Sequence, residues 1–155
     1  MSEEEAHALK LRVEAAEAAN PEELGPTNRN NTHLAYTCID EVAHHPVIVG
    51  AVSDLIGEDI VLYGTVLFFK EPKSAGFVSW HQDATYFGLR PYEHVSAWIA
   101  LSPATLESGC MRFVPGSHQA GQLDHRAHTS AKILNTCGQE LADAFDRDRA
   151  VANLV

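Results

Sequence analysis

The chain has 155 residues, 45% of them hydrophobic and 21% charged, which describes one soluble globular domain and excludes disorder of the whole chain. A net charge of −10, half of it in the first 25 residues, where Glu3, Glu4, Glu5, Glu14, Glu17, Glu22 and Glu23 stand against Lys10 and Arg12, disfavours nucleic acid or an anionic membrane as main partner. No apolar run approaches the roughly 18 residues of a membrane span, and the acidic N-terminus is unlike a signal peptide, so a cytoplasmic location is expected.

Ser2 with Glu5 three residues on is a capping box, and Ala6, Leu9, Val13 and Ala16 follow at helical spacing until Asn20-Pro21. Residues 21 to 33 read as a loop. Ile39 and Val42 suit a short helix. A further helix begins at Pro46, buries Ile48, Val52 and Leu55, and ends at Gly57. From Ile60 to Lys70 the residues are β-branched and aromatic, with Gly64 as a bulge or bend, and predict a strand. Phe77 to His81, Val95 to Ser102 and Cys110 to Val114 predict three more, with a loop from Gln82 to Pro91. Residues 119 to 155 read as a polar tail with one helical candidate at Gln139 to Phe145. Helices followed by short strands predict an α+β domain whose sheet curls into a sandwich or barrel. Its expected organisation is a helical lead-in over 1–57, a β core over 58–118 and the tail over 119–155. Cys38, Cys110 and Cys137 are odd in number and widely spaced, so they predict free thiols rather than disulfides or a zinc ribbon.

The chemistry-bearing candidate is His81-Gln82-Asp83. On an extended backbone residues i and i+2 face the same side, so an imidazole and a carboxylate can converge on one cation. With a third ligand they form the 2-His-1-carboxylate face of a non-haem Fe(II) oxygenase. Nine His in a chain of this composition produce a His-x-Asp about half a time by chance, so spacing alone does not identify the site. A solvated loop pair is the plain alternative.

The surrounding residues are more specific. Trp80-His81-Gln82-Asp83-Ala84-Thr85-Tyr86-Phe87-Gly88, then Ala97-Trp98-Ile99-Ala100-Leu101, then Glu107-Ser108-Gly109-Cys110-Met111-Arg112-Phe113-Val114-Pro115-Gly116-Ser117-His118 resemble the phytanoyl-CoA dioxygenase family of Fe(II)/2-oxoglutarate oxygenases. The helical lead into residues 57–72 is also similar to the family's. The resemblance implies a double-stranded β-helix, a cupin-like jelly roll, with N-terminal helices and a sheet incomplete in this chain. It places His81 and Asp83 as catalytic iron ligands, puts Gln82 and Trp98 facing 2-oxoglutarate, and sets Val66 near the same pocket. For Trp98 the plain reading is a core aromatic, and for Gln82 a polar residue supporting the loop. The resemblance further implies hydroxylation of a small organic substrate by O2, since the family's halogenases carry a small residue in place of the carboxylate. The family's third ligand, a downstream His, and its 2-oxoglutarate-binding Arg match nothing here and are expected beyond residue 155.

Two rival readings remain. One is a non-catalytic, truncated cupin-like fragment in binding or assembly, with self-association through open sheet edges. The other is a zinc hydrolase through Asp124, His125 and His128, against which stands a solvated polar tail. Ser117-His118 lacks the G-x-S-x-G of a nucleophile elbow, and no phosphate-binding glycine loop is present.

Overall fold

In the computed structural model, residues 1–154 are described except 23, 25–28, 131, 133, 135–137 and 143–145. They fall into two units: Met1–Phe69 with Val95–Ser102, and Lys70–His94 with Pro103–Val155. The class is α+β.

The first unit opens with helix α1, Glu3–Ala19. The capping box forms as expected: the Glu5 N–H donates to Ser2 Oγ at 3.2 Å, and the Ser2 N–H donates to the Glu5 carboxylate at 2.5 Å. The helical spacing places Leu9 and Val13 on one buried stripe. They pack on Cys38 and Ile39 of α2, Thr37–Ala43, with Tyr36, Val42, Leu67, Phe69 and Leu101 around them. Helix α3, Pro46–Ile56, starts on Pro46 and is capped by Gly57 at φ 96°, where a side chain would be strained. The expected burial of its apolar stripe is not found. Ile48 and Val52 are half-buried and Leu55 is 71% exposed.

The strand expected over 60–70 is reduced to one isolated antiparallel bridge, Asn30 to Val66, with the Leu67 N–H donating to the Arg29 carbonyl at 3.0 Å. β-Branched and aromatic side chains favour a pleated surface, but a strand also needs a continuous backbone partner. The pleat survives as alternation: Leu67 and Phe69 turn towards the core while Val66 and Phe68 are exposed. Gly64 is a point of close approach rather than a bulge, since a Cβ there would lie 2.6 Å from Asn31 Oδ1. The strand expected over 95–102 is likewise absent, and that segment's Leu101 packs on the α1/α2 core.

The second unit holds the four strands of the described residues. β1, Arg112–Phe113, pairs antiparallel with β4, Val151–Ala152, and β2, His125–Ala127, with β3, Gln139–Leu141. The expected polar tail therefore contains three strands, and the helix expected from Gln139 is a strand through Leu141; residues 143–145 of that candidate lie outside the described residues. Helix propensity in Gln-Glu-Leu is overridden by the ladder and by the cross-strand pair Arg126–Glu140, whose guanidinium donates at 3.1 and 2.7 Å. The expected strand over 110–114 shortens to β1. Residues 77–81 are tied down without forming a ladder: the Phe77 N–H donates to the Lys132 carbonyl, and the Phe77 carbonyl accepts from Leu134. The expected loop after Gln82 begins with a short helix, α4, Ala84–Phe87. Among the described residues, no helix is long and apolar enough to cross a membrane, and Cys38 and Cys110 are free thiols; Cys137 lies outside the described residues.

Three carboxylates, two exposed and one half-buried, sit below the usual 4.5. Glu5 is held down by the Ser2 backbone N–H, Glu41 by the Arg12 guanidinium and Glu140 by that of Arg126. Lowered folded-state values mean a stabilisation fully present above about pH 4.5 and lost as pH falls through the folded values. The thermal midpoint should therefore drop between about pH 5 and about pH 3, less so in high salt. A midpoint unchanged across that window would show that these pairs contribute nothing.

Candidate metal centre

The site is built from the approach of residues 79–83 to β3. Ser79 is 6% exposed, and its hydroxyl donates to the Gln139 carbonyl. Next to it the Trp80 carbonyl accepts the Leu141 N–H at 2.8 Å. These two bonds anchor the chain immediately before His81. His81 Nδ1 lies 2.7 Å from the Ser79 carbonyl, and a carbonyl can only accept, so Nδ1 carries the donated proton. Nε2 is then the atom that faces Asp83, with Oδ1 3.3 Å away. The carboxylate is brought there because the backbone leaves the extended conformation at Asp83, φ −56° and ψ −35°, to begin α4. Tyr86, one turn into that helix, sets its ring edge-on to His81 with centroids 5.4 Å apart.

Burial alone would lower the His81 pKa. The hydrogen bond with Asp83, the Ser79 carbonyl and the Asp83 charge together outweigh it, so His81 is raised above its ordinary 6.5. An imidazole and a carboxylate that jointly attract a proton present the same two donors to a metal cation. Metal–nitrogen and metal–oxygen bonds of about 2.0–2.2 Å at a right angle place the donors about 3 Å apart, close to the spacing found. A ligating His also commonly donates its other N–H to a carbonyl, which fixes the ring. The residues present thus fit a divalent metal, with the Ser79 carbonyl as a support that no motif in the sequence marks.

Gln82 is tied to the segment leading into β2. Its Oε1 accepts from the Leu123 N–H at 2.7 Å, and its Nε2 donates to the Gly121 carbonyl at 2.9 Å. Both bonds hold the segment entering β2, the loop support of the plain reading. Val66 and Trp98 lie in the first unit, 59% and 43% exposed, so Trp98 is not the buried core aromatic of its plain reading.

The zinc reading is corrected. His125 commits Nδ1 to the Leu123 carbonyl and Nε2 to the Gln82 N–H, both at 2.9 Å. His128 turns the other way, with Nε2 3.3 Å from Glu140 and Nδ1 accepting from the Ser130 N–H. Residues three apart on a strand point to opposite faces, which the i, i+3 spacing alone concealed. Among the described residues no three His, Cys, Asp or Glu side chains are grouped to hold a metal, so the candidate centre rests on the pair His81 and Asp83.

The His-x-Asp pair, tied to β3 through Ser79 and Trp80, offers two donors to a divalent cation, and comparison with known proteins shows the family. The model of the phytanoyl-CoA dioxygenase family matches residues 2–150, and the chain belongs to that family. It is 40% identical over 81 residues to mouse phytanoyl-CoA dioxygenase domain-containing protein 1, covering 52% of this chain and 28% of that protein. It is 32% identical over 96 residues to a probable alpha-ketoglutarate-dependent hypophosphite dioxygenase of Stutzerimonas stutzeri, covering 62% of this chain and 33% of that one. Among solved structures, the apo form of the non-heme monooxygenase ThoJ matches with a TM-score of 0.80 and 32% identity, over 100% of this chain and 58% of that one. The matched part is thus a third or less of the curated relatives and little more than half of the solved structure.

Proposed function

We propose that His81 and Asp83 are two iron ligands of an Fe(II)- and 2-oxoglutarate-dependent dioxygenase that hydroxylates a small organic substrate, on a double-stranded β-helix frame. The observation that carries this is the Ser79-braced His81, whose Nε2 converges with Asp83 Oδ1 at 3.3 Å. The alpha-ketoglutarate dependence in the name of the Stutzerimonas relative supports the cosubstrate. Iron bound there would supply O2 activation, with 2-oxoglutarate oxidised to succinate and carbon dioxide. The chain's own contribution is orientation. Ser79 keeps the His81 proton on Nδ1, the edge of Tyr86 limits rotation of the ring, and Asp83 brings the negative charge that a divalent cation needs. By the family resemblance, Gln82 and Trp98 face 2-oxoglutarate and Val66 lies near the same pocket.

The test is calorimetric titration with Fe(II) under argon. His81→Ala should lose the binding heat, and His118→Ala, an exposed position in the 3-10 turn Ser117–Ala120, should keep it. Undiminished binding by His81→Ala sinks the assignment.

A binding or assembly role is the second reading, favoured by the exposed apolar side chains of the first unit. Val61 is 91% exposed, and Tyr63, Val66 and Phe68 are each more than half exposed. Absence of any His81-dependent metal binding would favour it.

A further inference from the structure

We infer that His125 is a positioning residue for the His81/Asp83 pair, an inference that rests on the metal-site reading above. Gln82 lies between the two ligands, and its N–H belongs to the peptide that joins it to His81. That N–H donates to His125 Nε2 at 2.9 Å. The imidazole can accept there only if its proton is on Nδ1, and Nδ1 lies 2.9 Å from the Leu123 carbonyl, which requires that proton. The two bonds select one neutral tautomer. Thr85 Oγ1, 3.0 and 3.3 Å from the two ring nitrogens, packs beside the ring and accepts from Gln122 Nε2 at 2.6 Å.

The consequence is geometric. The directions of the His81 and Asp83 side chains are set by the backbone torsions of residues 81 to 83. The peptide in their middle is held from one side by His125, and the Gln82 side chain is held by Gly121 and Leu123. Both supports come from one short segment, 121–125, entering β2, whose ladder with β3 is continuous with the bonds that anchor Ser79 and Trp80. One strand pair therefore braces the ligand pair from both ends. His125 acts without touching the metal, because Nε2 is already engaged by the Gln82 N–H. Outer-shell supports of metal ligands typically change affinity about 10–100-fold when removed.

The experiment uses Co(II) as the probe on the unmodified chain and on His81→Ala, His125→Ala and His125→Gln, together with amide hydrogen exchange of the metal-free protein. The Gln82 amide should be protected in the unmodified chain and exposed in His125→Ala. Co(II) affinity should fall about 10–100-fold in His125→Ala and largely recover in His125→Gln, whose side-chain carbonyl can accept the same N–H. The Co(II)-shifted imidazole N–H proton signals, which count coordinating histidines, should be the same in number with and without His125. An unprotected Gln82 amide in the unmodified chain overturns the inference, whether or not His125→Ala folds. So does unchanged affinity in His125→Ala while His81→Ala loses binding, in which case the metal-site reading stands. Loss of a shifted imidazole signal on removing His125 overturns it too, by making His125 a ligand. Undiminished binding by His81→Ala removes the site reading and this inference with it.

Discussion

Replacing Asp83 with Asn is expected to weaken divalent-metal binding at least about 100-fold, more than the loss of an outer support, while leaving the fold in place. Asn matches Asp in size and keeps an oxygen near Nε2 of His81, so packing around the pair is preserved. What disappears is the negative charge. A hard divalent cation held by one neutral imidazole and one neutral amide gains too little to leave its hydration shell, whereas a carboxylate offsets part of that cost. The substitution also spares α4, because the Asp83 side chain makes no cap hydrogen bond to it. Equilibrium dialysis against Fe(II) or Co(II), with metal analysis of the protein, measures the change, and a thermal melt checks the fold. Metal retained by Asp83→Asn at the unmodified level would place the site elsewhere in the chain.

Leu9→Ala should cost about 2–5 kcal/mol of unfolding free energy, the range for a buried leucine whose cavity closes only in part. Leu9 is 6% exposed and forms one cluster with Val13, Cys38 and Ile39, so the space it leaves is walled by two helices that touch along a single stripe. Domains of this size have about 5–15 kcal/mol in all, and the loss is a large part of it. Leu11, two residues on, is 53% exposed. Leu11→Ala changes the same chemistry on the solvent side and should stay within about 0.5 kcal/mol. Urea unfolding of the two variants makes the comparison. Equal midpoints would mean that the α1/α2 stripe does not hold the first unit together.

The two substitutions probe features that were visible to different degrees. Leu9 was legible as a core residue because a helix repeats its own pattern: Ala6, Leu9, Val13 and Ala16 state the period, and the capping box states where it begins. The helix at Pro46 was legible at both ends for the same reason, although its burial was not, since Leu55 depends on what covers that face. His81 and Asp83 were legible as a pair because they are two residues apart and the text around them resembles a family. Their supports were not. Ser79 reaches Gln139 across 60 residues and Gln82 reaches His125 across 43. Only the fold makes them neighbours.

The residues alone were enough for the ends of α1 and α3, the α+β class, the phytanoyl-CoA dioxygenase family and the His-x-Asp pair. These rest on hydrogen bonds and side-chain periods that close within three or four residues, or on runs of contiguous text. The tertiary structure decided that residues 60–70 and 95–102 do not ladder, that Gln139–Leu141 is a strand, that Ser79 braces His81 and that His125 is a support rather than a zinc ligand. Strand pairing and ring hydrogen bonding are both choices of partner. A β-branched run or a histidine states only that it can take a partner, and the fold supplies which one.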